Sequence, residues 1–343
     1  MGDGPVGFGL GRDLPVRRSD ALYVAPRWLP GAHAQTIWPA LFSRPAAAGM
    51  PLQWARERWD TPDGDFIDVD RISVERRGAA PLIVLFHGLE GSSRSHYAQA
   101  VAHACMRAGW SIAVPHFRGC SGEPNRAPRA YHSGDWPEID WILRRFCATH
   151  SGALHAIGVS LGGNALLRWA EEAGHAAMDV VHSLVSVSAP IDLAAGGAAI
   201  SRGFNRLVYT RMFLRTLKPK AIGMVHRYPG LADARAIAAA QDLRAFDNAF
   251  TAPVHGFRDT DDYWRRASAK PHLARIRVPT LLINARNDPF LPASALPAAG
   301  EIAPGVWLEQ PEEGGHVGFA SGGPPGVLDW LPQRILQFFA HGL

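Results

Sequence analysis

The stretch that decides the fold is "LHAIGVSLGGNALLRW", residues 154–169. A short apolar run comes first, a turn with glycines at 158, 162 and 163 follows, and the remaining residues have helical spacing. A strand that passes through a glycine-rich turn into a helix serves either to hold a phosphate group or to expose one side chain in a pocket. The order of residues in the turn distinguishes these two uses.

Both phosphate-binding patterns fail in this turn. A Walker loop needs a Lys directly after its last glycine, whereas Asn164 follows Gly163 here. The glycine spacing also differs from the G-x-G-x-x-G pattern of dinucleotide sites. The pattern that fits is G-x-S-x-G, with Gly158, Ser160 and Gly162 at its fixed positions. It predicts a nucleophile elbow in which Ser160 lies on a strained turn between a strand and a helix.

A serine hydroxyl is a weak nucleophile, so it needs a base that a third group orients. In folds with this elbow the three residues follow the chain order Ser, then Asp or Glu, then His. Asp288 follows the run "PTLLINARN", and His316 follows "GVWLEQPEEGG". We therefore predict Ser160, Asp288 and His316 as the catalytic residues. The aspartates at 259, 261 and 262 are the alternatives to Asp288, but their position before "YWRRASAK" is typical of the start of a helix.

The oxyanion of such a reaction needs two backbone N–H donors. Leu161 supplies one because it directly follows the nucleophile, and we expect Leu89 to supply the other from the loop "HGLEG" after "LIVLF". In that loop His87 and Gly88 are predicted to support the backbone and to take no part in the chemistry.

From residue 81 onward, short apolar runs alternate with segments of helical spacing. This alternation predicts an α/β fold with a mostly parallel central sheet and helices on both faces. "LQWARERW" and "FIDVDRISV" predict an antiparallel hairpin at the sheet edge, within 52–74. We predict an N-terminal arm over 1–50 that packs on the core, a core over 51–190 and 279–343, and a helical cap insertion over 191–278.

Composition narrows the classes of partner. The chain has 343 residues, and 35 Lys and Arg against 31 Asp and Glu give a formal charge of +4, too little to indicate nucleic-acid binding. Three cysteines without zinc spacing indicate neither a disulfide framework nor a metal site, which favours a cytoplasmic location. No window approaches the length of a membrane span, and the start of the chain lacks the pattern of a signal peptide. We expect no metal and no organic cofactor.

Several long blocks resemble the YheT-like branch of the α/β-hydrolase superfamily, which includes medium-chain fatty-acid ethyl ester synthase/esterases. They are "WLPGAHAQTIWPAL", "FHGLEGSSRSHY", "RGCSGEPNRAPRAYHSG", "GVSLGGNALLRW" and "FDNAFTAPVHGFRDTDDYWRRAS". The resemblance covers about 28–320. It implies an α/β-hydrolase fold, a Ser160, Asp288 and His316 triad, and hydrolysis of carboxylic esters. Medium-chain acyl esters or acylglycerols are the substrates it suggests.

Three alternatives stay open. An alcohol instead of water could take the acyl group, which would make the enzyme an acyltransferase or ester synthase. A hydrolase fold can also serve only as a binding module. Finally, the segment "RGFNRLVYTRMFLRTLK" could lie on a membrane surface. At 100° per residue, however, Arg202 and Arg206 fall opposite Arg211, Arg215 and Lys218, so a cap packed on the core is favoured over membrane contact.

Overall fold

The computed structural model describes residues 23–45, 49, 51–74 and 79–342. Eight strands form one sheet at the centre of the fold. The sheet order is β1-β2-β4-β3-β5-β6-β7-β8, and β2 alone among these strands runs against the others. The strands are β1 (Ala55–Asp60), β2 (Phe66–Ile72), β3 (Leu82–Phe86), β4 (Ser111–Pro115), β5 (Leu154–Val159), β6 (Ser183–Val187), β7 (Thr280–Ile283) and β8 (Val306–Glu309). The mostly parallel sheet predicted from the sequence is confirmed.

The described α-helices are α1 (Ala32–Leu41), α2 (His96–Ala108), α3 (Trp136–Thr149), α4 (Leu161–Ala173), α5 (Leu193–Ile200), α6 (Gly203–Asn205), α7 (Arg211–Arg227), α8 (Ala234–Ala239), α9 (Leu243–Phe246), α10 (Ala252–Val254), α11 (Thr260–Ala267) and α12 (Trp330–His341). Helices α2 and α12 cover one face of the sheet, and α3 and α4 cover the other. Successive side chains of a strand point to opposite faces. Accordingly Val84 packs in the cluster with α3 and α4, and Leu85 packs in the cluster with α2 and α12. Helices on both faces are what the sequence predicts.

All the regular structure between β6 and β7, in a region that the structure describes throughout, is helical. Besides α5 to α11 it contains two π-helical turns, Arg206–Thr210 and Asp247–Thr251, and the 3-10 turn Lys270–Arg275. This helical insertion has a small apolar cluster of its own, in which Leu214 and Met224 of α7 pack with Ile237 and Phe246. Asp259 caps α11, since its side chain accepts a hydrogen bond from the Asp262 N–H (2.8 Å).

The π-turn at Arg206–Thr210 corrects one step of the sequence analysis. A uniform rotation of 100° per residue placed Arg206 opposite Arg211, but in a π-turn the residues i and i+5 lie one turn apart. Arg206 and Arg211 therefore line the same groove on the surface of the insertion. The rotation of 100° per residue assumed a regular α-helix, whereas this segment contains a π-helical turn.

The described part of the predicted arm contacts both the core and the insertion. Leu29 is buried in a cluster with Ala320 and Leu328, whereas Ile37 of α1 packs against a cluster that includes Tyr209 and Phe290. Residues 1–22, 46–48 and 50 of that arm lie outside the described residues. Helix α1 thus touches elements that are far from it in the sequence.

A buried histidine in β5 generates a prediction about stability and pH. The His155 ring stacks on Phe339 at 4.6 Å between centroids, and its Nδ1 lies 2.8 Å from Ser183 Oγ. Burial, and second the nearby His182, lower the pKa of His155 from 6.5 to about 4. As the pH falls below 6.5, His155 becomes protonated in the unfolded chain but stays neutral in the folded chain. The free energy of unfolding therefore decreases as the pH falls.

We expect His155→Phe to remove this loss. From pH 7 to pH 5 the free energy of unfolding of the wild type should fall by about 2 kcal/mol more than that of the variant. Urea unfolding of both proteins at the two pH values measures the difference. Parallel changes in the two proteins would contradict the assignment.

Candidate active site

Ser160 occupies a backbone conformation that few residues adopt. It lies between the last residue of β5 and the first of α4, with φ 53° and ψ −120°, and its N–H donates to Val187 O of the next strand (2.8 Å). A positive φ costs an L-residue free energy, so the surrounding contacts must hold it. The side chain is half-buried and lines a large cavity.

Three glycines around Ser160 lie too close to neighbouring atoms for a side chain. A Cβ at Gly158 would overlap the carbonyl oxygen of Gly162, and one at Gly162 would lie 2.5 Å from His87 O. Gly163, which lies outside the G-x-S-x-G pattern, faces β6: its Cβ would lie 2.8 Å from Ser186 Oγ. The glycines therefore let α4 begin against the sheet and against the loop after β3.

The structure brings together the three side chains that the sequence selects. His316 Nε2 lies 3.0 Å from Ser160 Oγ, and His316 Nδ1 lies 2.9 Å from Asp288 Oδ2 and 3.1 Å from Oδ1. A proton on Nδ1 satisfies Asp288 and leaves Nε2 free to accept the serine proton. Asp288 is buried, and its Oδ1 also accepts the N–H of Phe290 (2.8 Å). The phenyl ring of Phe290 covers the imidazole, with centroids 4.0 Å apart.

Helix α1 holds the loops that carry Asp288 and His316. The Gln35 amide oxygen accepts hydrogen bonds from Gly314 N–H (2.9 Å) and from the side chain of Asn287 (2.8 Å). Thr36 Oγ1 accepts the N–H of His316 itself (2.9 Å). Gln35 and Thr36 are almost fully buried. Sequence analysis missed both, although "GAHAQTIW" supplied part of the resemblance. No signal in the sequence around them showed that these two polar residues are buried.

The loop after β3 is fixed from several directions. The buried His87 Nε2 accepts the N–H of Phe117 (3.0 Å), so its Nδ1 carries the proton and donates to Gly88 O (2.7 Å). Burial lowers the pKa of His87 to about 3, which keeps the ring neutral. Tyr97 Oη accepts the N–H of Gly88 (2.9 Å), and a Cβ at Gly88 would lie 3.1 Å from Ser160 Cβ.

The two predicted oxyanion donors both border the cavity in front of Ser160. Among the described residues, no protein acceptor receives the N–H of Leu89 or the N–H of Leu161. The neighbouring amides differ, because Gly88 N–H and Glu90 N–H donate to tyrosine hydroxyls. In the described chain, no protein acceptor therefore competes with a ligand oxygen for these two N–H groups.

The cavity has a volume of about 730 Å³ and an apolar side that the helical insertion supplies. Its apolar lining includes Leu193, Ile200, Phe213, Leu217, Phe250 and Phe290. A site of this size and character buries most of a small apolar ligand.

The other side of the cavity is polar. Lys220 of α7 pairs with Glu90 (Nζ to Oε2, 2.6 Å), and Tyr131 Oη donates to the other oxygen of that carboxylate (2.9 Å). Burial lowers the pKa of His132 to about 3 and raises the pKa of Asp247 to about 6. His132 is consequently uncharged at neutral pH. The Lys220–Glu90 pair joins the insertion to the residue that follows Leu89.

Comparison with known proteins agrees with this architecture. The family model described as "alpha/beta hydrolase fold" matches residues 81–322. The chain is 39% identical over 325 residues to the "Putative esterase YheT" of Escherichia coli (strain K12), covering 92% of each chain. It is 27% identical to "Phospholipase ABHD3" of Mus musculus, covering 92% of this chain and 77% of the relative. The Pyrococcus furiosus esterase Pf2001 superposes with a TM-score of 0.54 at 14% identity, over 89% of this chain and 97% of that one.

These matches define the class of the molecule. The chain belongs to the α/β-hydrolase fold family, and within it the chain stands with enzymes of the esterase and lipase type. The resemblance to the YheT-like branch is confirmed. No helix in the part of the chain that the structure describes has the length and apolarity to cross a membrane.

Thr36 provides a test of how α1 supports the histidine loop. Thr36→Val keeps the shape but leaves the N–H of His316 without its acceptor, and we expect the free energy of unfolding to fall by about 1–3 kcal/mol. Thr36→Ser retains the hydroxyl and should lose less. Urea unfolding of the three proteins measures the effect. A larger loss in Thr36→Ser than in Thr36→Val would assign the role of Thr36 to methyl packing.

Proposed function

We propose that the chain is a serine hydrolase that cleaves carboxylic esters with Ser160 as nucleophile, His316 as base and Asp288 as the group that orients the base. The observation that carries this proposal is the continuous contact from Ser160 Oγ to His316 Nε2 (3.0 Å) and from His316 Nδ1 to Asp288 (2.9 Å). The strained elbow at Ser160 and the match to esterases and lipases support it.

In the proposed reaction His316 Nε2 removes the hydroxyl proton as Ser160 Oγ attacks the ester carbonyl. Asp288 stabilises the imidazolium that forms and keeps its ring oriented. The proton then passes from His316 to the leaving alcohol, and an acyl-enzyme remains. Water repeats the sequence, with its proton going to His316, and the acid leaves.

We propose that Leu89 N–H and Leu161 N–H bind the oxyanion of the tetrahedral intermediate. The support for this is that both residues border the cavity and that no protein acceptor in the described chain receives either N–H. His87 and Gly88 act as positioning residues, because the His87 ring ties the carbonyl of Gly88 to the backbone of Phe117. Fixed donors stabilise the developing charge without reorganisation during the reaction.

The substrates proposed are medium-chain acyl esters or acylglycerols. The apolar lining from the helical insertion suits an acyl chain, and the polar side near Glu90 and Lys220 suits an alcohol portion that carries hydroxyl groups. One relative, 25% identical over 260 residues, is a "Monoacylglycerol lipase" of Saccharomyces cerevisiae, matched over 70% of this chain and 55% of its own length. Residues 191–278 then act as the cap that forms the acyl site, over the core of 51–190 and 279–343.

The first test is labelling with a fluorescent phosphonate, which reacts with an activated serine. We expect label on the wild type, none on Ser160→Ala, and label retained on Ser151→Ala, which changes an exposed serine. Ser160→Ala should lower kcat/KM for p-nitrophenyl butyrate by a factor on the order of 10⁴ or more, and Asp288→Asn by roughly 10³–10⁴. Equal label on the wild type and Ser160→Ala would contradict the proposal.

The second test concerns the acyl site. Leu217 of α7 borders the cavity, so Leu217→Trp should shorten the space for the acyl chain. In a series of p-nitrophenyl esters we expect kcat/KM for the decanoate to fall roughly tenfold while the acetate value stays within about twofold. Met178→Trp, at an exposed position outside the insertion, is the control. A uniform loss across the series would place the acyl chain elsewhere.

A further inference from the structure

One part of the insertion carries charge of a single sign. Between Asp192 and Asp233 the chain contains no acidic residue. Its basic residues in this interval are Arg202, Arg206, Arg211, Arg215, Lys218, Lys220 and Arg227. These seven positive charges compare with a formal charge of +4 for the whole molecule.

The structure gathers four of these basic residues around one open groove of about 660 Å³. The π-turn aligns Arg206 with Arg211, and α-helical spacing then aligns Arg211 with Arg215 and Lys218. A regular α-helix would have separated Arg206 from the other three. The groove is open to solvent, and its floor includes the buried Leu214.

Large apolar side chains are exposed in the same segment of the insertion. Phe204 is 46% exposed, Leu207 57% and Met212 52%. Leu207 and Met212 are also related by the five-residue step of the π-turn, and Leu207 itself borders the groove. The structure describes eight large hydrophobic residues as exposed, and three of them fall within residues 204–212.

The charges around the groove are not neutralised within the described chain. Arg206 donates to the amide oxygen of Gln241 (3.1 Å), and Lys218 donates to the carbonyl of Ala238 (2.7 Å), both uncharged partners. No described carboxylate lies within ion-pair distance of Arg211 or Arg215. The opposite side of α7 differs, since there Lys220 pairs with Glu90.

We propose that this basic apolar face, formed by Phe204, Arg206, Leu207, Arg211, Met212, Arg215 and Lys218, docks on the surface of a bilayer that contains anionic phospholipids. Cationic side chains lie at the level of the lipid phosphates, and apolar side chains between them reach the boundary of the acyl chains. An acidic protein would complement only the positive charge of this face and would leave its apolar side chains without a partner. The intermixed exposed Phe204, Leu207 and Met212 favour the lipid surface.

Docking on this face would place the bilayer against the outer side of the helix that lines the cavity. Phe213, Leu217 and Met224 of α7 face the cavity, whereas Arg211 and Arg215 face the groove. A lipid-like substrate would then be recruited beside the site. The docking surface itself does not depend on the catalytic assignment of Ser160, and the two can be tested separately.

The experiment is flotation of the full-length chain with vesicles of 30% phosphatidylglycerol in phosphatidylcholine. We expect the wild type to float with these vesicles at low salt, and not with pure phosphatidylcholine. The triple variant Arg206→Gln, Arg211→Gln, Arg215→Gln should lower the bound fraction roughly tenfold or more. Leu207→Ser with Met212→Ser should lower binding at both low and high salt, because that part of the interaction is not screened.

The matched control is Arg27→Gln, Arg94→Gln, Arg275→Gln, which removes the same charge from exposed positions on other elements. It should bind like the wild type. Hydrolysis of soluble p-nitrophenyl butyrate should stay unchanged in every variant, which separates docking from catalysis. Absence of flotation, equal losses in the two charge variants, or flotation that Leu207→Ser with Met212→Ser leaves unchanged would each overturn the proposal.

Discussion

The close approach of helix α4 to the sheet at Ser160 is the constraint on which the rest of the site depends. The chain reverses its direction between β5 and α4 at one residue with positive φ, and the carbonyl oxygens of Phe86, His87 and Gly162 occupy the space where neighbouring side chains would stand. Because the turn is this tight, the Ser160 side chain has only the cavity to enter. The same approach brings the loop after β3 against Ser160, where Leu89 borders the cavity.

Much of this arrangement follows from the sequence because it is local. Gly158, Ser160 and Gly162 lie within five residues, and the strand before them and the helix after them are visible in the apolar pattern. The positions of Asp288 and His316 follow from a further regularity, since parallel strands place their carboxyl ends at one edge of the sheet. Strands β7 and β8 end shortly before these two residues, so the topology brings them to Ser160 without any specific long-range signal.

The supports of the site are less accessible to sequence reasoning because they join distant segments. Gln35 contacts Gly314 across 279 residues, and Thr36 contacts His316 across 280. A buried glutamine is costly unless its amide is fully paired, and nothing in the local pattern of α1 shows where its partners lie. The described part of the arm thus supports the loop that carries His316. The sequence analysis predicted only that the arm packs on the core.

The insertion shows a second reason why pattern analysis fails, namely an incorrect helical period. A rotation of 100° per residue through 202–218 scatters the arginines, whereas one π-turn gathers Arg206 with Arg211 and exposes Leu207 beside Met212. Since a π-turn is less stable than an α-helical turn, its presence needs compensation from tertiary contacts. Tyr209 and Thr210 provide it: both are buried, Tyr209 packs on Phe290 next to His316, and Thr210 donates to Ile200 O (2.7 Å). The packing that covers His316 and the packing that arranges the outer basic face are therefore one set of contacts.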